Sequence, residues 1–597
     1  MVKTYDEAIA FLYSLRSEAH SRPNIQNITL ALEEIGNPQN RYPCIHVTGT
    51  NGKGSTCAML HDMLAKTLKV GLYTSPHLVD YRERIRINHM LIPKQEVVAL
   101  LQEYLQIIKK HQLTFFEATT LLMFAYFAKE QIDMAVIEVG MGGSWDATNV
   151  ITAQVCIITR IANDHNHILG NLDGIVKEKS GIIKQKSAVF TLADNYGHDI
   201  FFKTTKEKNG SFHSVKSNDF TMLCQEYNLP EKQLAFYQEN LCLAVRAVEY
   251  LCKKGMIYLE KNQISSALAS FSWKGRFQWL EKNLVIDGAH NENGAAWFAK
   301  HLLQHKQEKN YQRCILVFGC VKDKDYRAML KHFEKVSDGF ILTMPHNERA
   351  LHRSLLEQAA KEMNVQVLAT FDSVIDVYLE IQRNSFGDQN TLYAITGSLY
   401  LLGEFLAEYE ELKKQPKIPI VDEQDNLLFY QYRNACKPND IYRVSALWLT
   451  DKKGNILLAK RAYHKAKNPG LWSAAAAGTV EINETYDDNI KKEIWEELGL
   501  ASLPLIKGPK IRIKGKNNYF CQWYLATVDT EKQELTYNQE EVAEIKWFSP
   551  SQLIAAYKEN PTQFSPTFEQ WAPLLLNKKA QDENHQQKNK QRIIRYD

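Results

Sequence analysis

Ile45-His46-Val47 leads directly into GTNGKGS, Gly49 to Ser55, and that turn opens a helix-like run from Thr56 to Leu68. A strand, a glycine-rich turn and a helix N-terminus in this order make a phosphate cradle. Glycines let backbone N–H groups approach an anion, the helix end adds partial positive charge, and Lys53 can reach the outer phosphates. A nucleoside triphosphate is the natural occupant. Gly54 stands between Lys53 and Ser55, so the spacing departs from the usual G-x4-G-K-[ST] pattern. A glycine turn that merely starts a helix is the plain alternative, and the strand ahead of it argues for the cradle.

Outward from this turn, strand-like apolar runs alternate with amphipathic helix-like ones through the first 400 residues. Cys44 to Thr48, Met134 to Val139, Val155 to Thr159, Leu284 to Asp287, Cys314 to Phe318 and Leu392 to Thr396 each run into a glycine, an acid or a turn. That pattern predicts α/β layering on a parallel sheet, with ligands at the strand ends. A chain of 597 residues is too long for one core, and two to four domains are expected. One break is read near Trp273 to Arg276. A second is read at Lys413 to Pro419, where charges and two prolines interrupt a helix. The residues from Lys578 onward are nearly all polar and read as a frayed tail.

Composition narrows the class further. Apolar residues make up 45% and charged ones 24%, which excludes collagen-like and wholly disordered chains. The net charge of +3 leaves no basic field for nucleic acid or acidic membranes, so an anionic ligand must be held locally. The ten cysteines include no CxxC pair, which weakens both disulfide and zinc readings. Neither a signal peptide nor a spanning helix is read, and a cytoplasmic monomer is the expectation.

Further motifs follow GTNGKGS in a fixed order. They are YTSPHLVDYRERIRIN at Tyr73 to Asn88, IEVGMGGSWDATN at Ile137 to Asn149, NDH at Asn163 to His165 and VKEKSGIIK at Val176 to Lys184. WKGRFQ at Trp273 to Gln278, DGAHN at Asp287 to Asn291, VFGCVKDKD at Val317 to Asp325 and TGSLY at Thr396 to Tyr400 complete the set. Over roughly the first 410 residues the chain resembles the folylpolyglutamate synthase/dihydrofolate synthase family of the Mur ligase superfamily. The resemblance implies a P-loop ATPase domain over 1–273 and a Rossmann-like ligase domain over 274–414. It also implies that a folate or pteroate carboxylate attacks the γ-phosphate of ATP, and that glutamate's amine then displaces the acyl phosphate. Only 48 residues precede Gly49, which favours this family over cell-wall amino-acid ligases that place a sugar-nucleotide domain there.

Carried over by motif position, Gly52, Lys53, Gly54 and Ser55 would hold the phosphates, with Asn240, Arg276 and Asp287 as further ATP contacts. Ser75, Glu138 and His165 would ligate Mg²⁺, and Lys179 matches a lysine that the family carbamylates into a further metal ligand. Oxygen donors suit Mg²⁺ better than the imidazole of His165 does. A solvated helix lysine is the other reading of Lys179. Phe116, Glu117, Trp145 and Asp146 fall in segments matching the pterin-side pocket. Three departures bear on substrate choice or activity. Ser144 and Trp145 replace an arginine and a leucine, the residues before Asn240 are altered at Tyr237 to Glu239, and Glu292 follows DGAHN where proline is usual.

Beyond the prolines, 415–419 is read as a linker and 420–577 as a separate domain, with alternating strands near Val444 to Leu449 and Ile456 to Lys460. GTVEINETYDDNIKKEIWEELGL, Gly478 to Leu500, resembles the box of the Nudix family, which implies an α/β/α fold and diphosphate hydrolysis. On a helix Glu493, Glu496 and Glu497 share one face while Ile490, Ile494 and Leu498 line the next, so acids face out and aliphatics in. Clustered carboxylates favour a divalent cation that bridges a diphosphate and activates water. Glu540 or Glu541 would add a ligand or base. Lys492 replaces the family's arginine and keeps charge without the planar fork. AKRAYHKAKNPGLWS, Ala459 to Ser473, is similar to the branch holding isopentenyl diphosphate isomerase, but the cysteine of that isomerase is missing, so hydrolysis is expected.

The expected whole is an ATP-dependent ligase of folate or pteroate and glutamate fused to a hydrolase of a nucleoside or pterin diphosphate-containing substrate. Pathway logic adds dihydroneopterin triphosphate as a candidate for the second site. Two alternatives stand beside it: a non-catalytic sensor or housecleaning hydrolase at the C-terminus, and a ligase for another carboxylate acceptor.

Overall fold

The central strands are mostly apolar and several, such as the strands Cys44–Thr48, Met134–Glu138 and Leu284–Asp287, end at or run into a glycine or acid, and the computed structural model shows what that pattern builds. It describes residues 2–15, 25–164, 170–383, 390–515, 517–532 and 535–576. The first sheet holds β1 (Cys44–Thr48), β2 (Val70–Tyr73), β3 (Ile85–Ile87), β4 (Met90–Leu91), β5 (Met134–Glu138), β6 (Val155–Ile158), β7 (Ala188–Leu192) and β8 (Ser211–Val215). Its order is β4-β3-β2-β5-β1-β6-β7-β8, parallel apart from the hairpin strands β3 and β4. The sheet is covered on both faces, and the period of two sorts its side chains. Cys44, Ala135, Ile137, Cys156 and Ile158 enter one core with the helix Phe115–Lys129. Ile45, Val47, Val136, Val155 and Ile157 enter another with the helices Lys53–Leu64 and Gln238–Lys253. A strand buried on both faces reads as a continuous apolar run, as Met134 to Ile137 and Val155 to Ile158 do.

β5 and β6 flank β1 on opposite sides, so the chain crosses over at β1 and leaves a crevice beyond its carboxyl end. The turn after β1, Glu138 at the end of β5 and Asp164 after β6 therefore converge.

The second sheet holds β9 (Gln278–Glu281), β10 (Leu284–Asp287), β11 (Arg313–Phe318), β12 (Gly339–Leu342), β13 (Val367–Thr370) and β14 (Thr391–Thr396). Its order is β13-β12-β11-β14-β10-β9, with only β9 antiparallel, a Rossmann-like arrangement. It starts after the stretch Trp273 to Arg276, where an isolated bridge joins those two residues. Both sheets belong to one compact unit whose last residues are Val377 and Glu408.

Tyr378 and Tyr409 open the second unit. Its sheet holds β15 (Lys417–Val421), β16 (Leu427–Tyr432), β17 (Ile441–Asp451), β18 (Ile456–Arg461), β19 (Trp472–Ser473), β20 (Ala476–Thr479), β21 (Ile506–Ile513), β22 (Tyr519–Val528) and β23 (Val542–Phe548). Here the linker expectation is corrected, because Lys417 to Pro419 are the first residues of β15 rather than a tether. Proline is tolerated there for a geometric reason. β17 pairs only with Ile420 and Val421, so at Pro419 the strand is flanked by β16 alone. Alternate residues of β17 again divide between two cores. Ala446 and Trp448 pack with the helices Pro550–Glu559 and Phe568–Leu576, while Leu447 and Leu449 pack with the helix Tyr486–Leu498. This is the expected α/β/α sandwich. The polar tail 578–597 and His165 lie outside the described residues. All ten cysteines are free, and no helix among the described residues is long and apolar enough to cross a membrane.

Candidate active sites

The turn after β1 is shaped by what cannot fit there. Gly52 has φ +89° and is the N-cap of the helix Lys53–Leu64, and a Cβ on it would lie 2.1 Å from Asn240 Oδ1. Only glycine meets both demands. No side chain caps this helix end, which leaves its first amides facing the crevice beside buried Ser55. Asn240, on the helix Gln238–Lys253, thus lies against the turn, and it also accepts from Thr56 Oγ1 at 3.4 Å.

Positive charge concentrates at the same point. Lys53 Nζ donates to the carbonyls of Gly49 and Thr50 at 3.1 and 3.2 Å, and Lys179 Nζ donates to Gly49 O at 2.7 Å. Lys179 is 4% exposed, which removes the solvated-lysine reading. Burial, then the neighbouring Lys53 charge, pushes its amine down to about 7. The carboxylate of Glu138 is buried nearby, accepts from the Ser75 N–H at 3.0 Å, and is raised by burial against the pull of Lys53. A buried carboxylate beside a serine is an oxygen donor set that fits a hard cation such as Mg²⁺.

The second sheet adds its own residues to this crevice. Asp287, at the end of β10, accepts from the Phe277 and Ala289 amides at 2.8 Å each, and burial raises it to about 6 against the Arg276 charge. Arg276 folds back on the carbonyl of Gly275 at 3.1 Å. Several neighbours had no role assigned from sequence, although their motifs were noted. Asn51 and Asn291 exchange amide hydrogen bonds at 3.2 and 3.0 Å, Asn291 donates to Asp164 at 3.3 Å, and Lys324 pairs with Asp164 at 2.5 Å. The amide pair ties the glycine turn to the start of the helix Glu292–Glu308 that follows β10.

Structure divides the four residues that sequence reads as substrate contacts. Phe116 is half-buried against Gly140, where a Cβ would come within 2.5 Å of its ring, and Trp145 packs at the edge of the first core with its Nε1–H buried and unpartnered. Glu117 instead closes a capping box, accepting from the Thr114 N–H and hydroxyl at 2.9 Å. Asp146 caps the turn Ala147–Val150 and accepts from Met141 and Thr148 amides at 2.9 Å. Both acids hold local backbone, one at a helix start and the other at a turn. Ser144 donates to Glu178 O at 3.1 Å, docking the GGSWDATN loop beside Lys179.

In the second unit the helix Tyr486–Leu498 buries Ile490, Ile494 and Leu498 completely. Each contributes about 1.5–3 kcal/mol through its apolar area. One expectation changes: Glu497 does not face out but is buried, accepting from the Ala477 N–H of β20 at 3.2 Å. Burial and the Glu493 charge raise it to about 8, and burial and Glu496 raise Glu493 to about 7. Glu496 is exposed. The close approach explains Gly478, where a Cβ would sit 1.7 Å from Glu493 Oε1. Lys492 keeps the supporting ion pair, reaching Glu484 at 3.2 Å, while buried Asn489 holds Glu484 from the other side at 3.1 Å. Glu541 rather than Glu540 lies beside Glu497. It lines a cavity of about 170 Å³ with Glu497, Arg433, Arg461, Lys467 and Ser473. Acids whose charged forms repel one another, facing three cationic side chains, suit a divalent cation with a polyphosphate.

Comparison with known proteins places these sites in recognised domains. Residues 47–240 match the Mur ligase middle domain, 275–398 the Mur ligase glutamate ligase domain, and 441–569 the NUDIX domain. The folylpolyglutamate synthase of Lacticaseibacillus casei is 32% identical over 431 residues, spanning 66% of this chain and 96% of the relative. The dihydrofolate synthase/folylpolyglutamate synthase of Bacillus subtilis is 29% identical over 435 residues, spanning 68% and 99%. Among solved structures, the Mycobacterium tuberculosis folylpolyglutamate synthase complexed with ADP and AMPPCP has 27% identity and a TM-score of 0.58, covering 67% of this chain and 99% of that one.

Proposed function

The chain belongs to the folylpolyglutamate synthase/dihydrofolate synthase family and carries a C-terminal Nudix domain, and on that premise we propose a bifunctional enzyme. Its first unit joins L-glutamate to a folate or pteroate at the expense of ATP, and its second hydrolyses a diphosphate-containing substrate. The observation that carries the first activity is the convergence of Lys53, Lys179 and Glu138 on a helix end that no side chain caps.

In the ligase reaction the substrate carboxylate attacks the γ-phosphorus, ADP leaves, and an acyl phosphate forms. The amine of glutamate then displaces inorganic phosphate, losing a proton to give the amide. Lys53 and the amides of Gly52 to Ser55 bind the phosphates and offset charge that grows as ADP departs. Asn240, Arg276 and Asp287 orient the nucleotide, and Phe116 and Trp145 present aromatic surface to the pterin, on a wall held by Glu117 and Asp146. A Lys179 amine held near 7 is substantially neutral at physiological pH, the form that adds CO₂ to become a carbamate. When bound, Mg²⁺ supplies charge neutralisation at the triphosphate and activation of water at the acidic helix. Ser75, Glu138 and His165 would hold one ion of the first site and carbamylated Lys179 a second, and Glu493, Glu496 and Glu497 would hold the ion of the other site.

ADP release that requires both glutamate and either dihydropteroate or tetrahydrofolate tests the ligase, and running the two acceptors separately assigns dihydrofolate synthesis, chain extension or both. ADP release unaffected by either acceptor would remove the folate assignment. For the second unit, dihydroneopterin triphosphate is assayed for pyrophosphate release beside ordinary nucleotides and a Glu496→Gln, Glu497→Gln control. Release that the control retains would exclude the acidic helix.

A further inference from the structure

The helix that begins at the glycine turn ends at a cluster that neither proposed activity uses. His61 and Asp62 lie in its last turn, about 12 Å along the axis from Lys53. His89 stands in the two-residue turn between β3 and β4, next to Asn88 at φ +49°. Among the described residues this is the one group that brings ligand atoms of at least three His, Cys, Asp or Glu side chains together, all within 4.8 Å.

His61 is 2% exposed, and its two ring nitrogens are in different states. Nδ1 lies 2.9 Å from Asp62 Oδ1, while Nε2 is buried without a hydrogen-bond partner. Leaving a buried polar atom unpaired is costly, and packing alone does not explain a histidine where leucine or methionine would fill the volume. The rings of His61 and His89 meet edge to face with centroids 5.6 Å apart. Beside them opens a cavity of about 220 Å³ bordered by Asp62, Lys66, His89, Ser266, Ser270 and Ser272.

We propose that His61, Asp62 and His89 bind a late first-row divalent ion of the Zn²⁺ or Co²⁺ class, with a fourth coordination position open to the cavity for water or a serine hydroxyl. Two imidazoles and one carboxylate are a ligand set for such ions, whereas Mg²⁺ and Ca²⁺ prefer oxygen alone. Lys66 borders the cavity, and the Arg86 charge interacts with Asp62. The site therefore selects by affinity for imidazole rather than by a negative field. Metal–ligand bonds of about 2.0–2.2 Å require the donor atoms to close to about 3.3 Å from one another. His89 can supply that movement, because it is exposed in a hairpin turn, while His61 is fixed by the core. The bound ion would clamp the end of the phosphate-binding helix to the β3–β4 hairpin.

The test is a Co²⁺ titration of the full chain in saturating Mg²⁺, which occupies the oxygen-rich sites, with visible absorption read as the signature of nitrogen-containing tetrahedral coordination. One equivalent is expected, together with a rise in the melting temperature of the first unit. His89→Ala, an exposed position, should weaken Co²⁺ binding at least tenfold and abolish the thermal shift without changing ligase turnover measured in Mg²⁺ alone. Asp62→Asn gives a second reading that leaves His61 in place. Absence of the bands in the native chain, or equal bands and affinity in both variants, overturns the site.

Discussion

At the glycine-rich turn the crowded charges are positive, and on the Nudix helix they are negative. Lys53 and Lys179 share the Gly49 carbonyl, and Lys179 is pushed down to about 7. Glu493 and Glu497 are pushed up to about 7 and about 8. Both sites are read as handling phosphate, yet one presents cations and amides to the anion directly, and the other presents carboxylates that reach it through a metal. The difference follows from the supporting element. A helix N-terminus brings positive potential and free amides, whereas a helix flank offers only its side chains, here spaced to share a face.

The sharpest way to break this comparison is Lys53→Ala. It should lower ligase turnover by about 10³-fold, the scale for losing one preorganised charge stabiliser, and leave diphosphate hydrolysis unchanged. Steady-state rates of both reactions on one preparation check it, and parallel loss of both would mean that the sites are not separate. Next in size, Glu497→Gln should lower hydrolysis by about 100-fold and leave ligation intact, as read by pyrophosphate release against ADP release.

A third prediction uses opposite signs. Between the ordinary carboxylate value of 4.5 and about 7 to 8, folded Glu493 and Glu497 hold protons that the unfolded chain has released. In metal-free buffer the second unit therefore loses stability as pH rises across that window. For Lys179 the unfolded chain keeps its proton up to 10.5 while the buried amine releases it near 7, so the first unit gains stability from about 7 upward. Calorimetry from about pH 5 to about pH 9, with Lys179→Met and Glu497→Gln as references, should remove one slope in each variant. Slopes of the same sign would overturn the charge assignment. The smallest effect is structural: Ile490→Val should cost the second unit about 0.5–1.5 kcal/mol, seen by denaturant unfolding with hydrolysis retained.

Much of this was legible because the deciding features are local. The strand, glycine turn and helix start are contiguous in sequence, and the i, i+3, i+4 acids are set by one helix. What escaped depended on distant packing. Glu497 is buried because β20 lies against its helix, and Lys417 to Pro419 form a strand because β16 returns to pair with them. The capping role of Glu117 did have a local signal in Thr114-Phe115-Phe116-Glu117, a threonine followed three residues later by glutamate, which competes with reading that glutamate as a ligand contact. Asn51 with Asn291, and Asp164 with Lys324, are separated by more than a hundred positions. Their motifs were visible without their partnership.

The reciprocal amides of Asn51 and Asn291 make the phosphate turn and the second sheet thermodynamically linked. Whatever free energy a nucleotide gains from having that sheet docked, the docking gains from the nucleotide, so the coupling is one quantity accessible from either side. A change at Asn291 that loosens docking would thus reappear as weakened ATP affinity, although Asn291 caps a helix that follows β10 of the second sheet, far in sequence from the strand that feeds the turn.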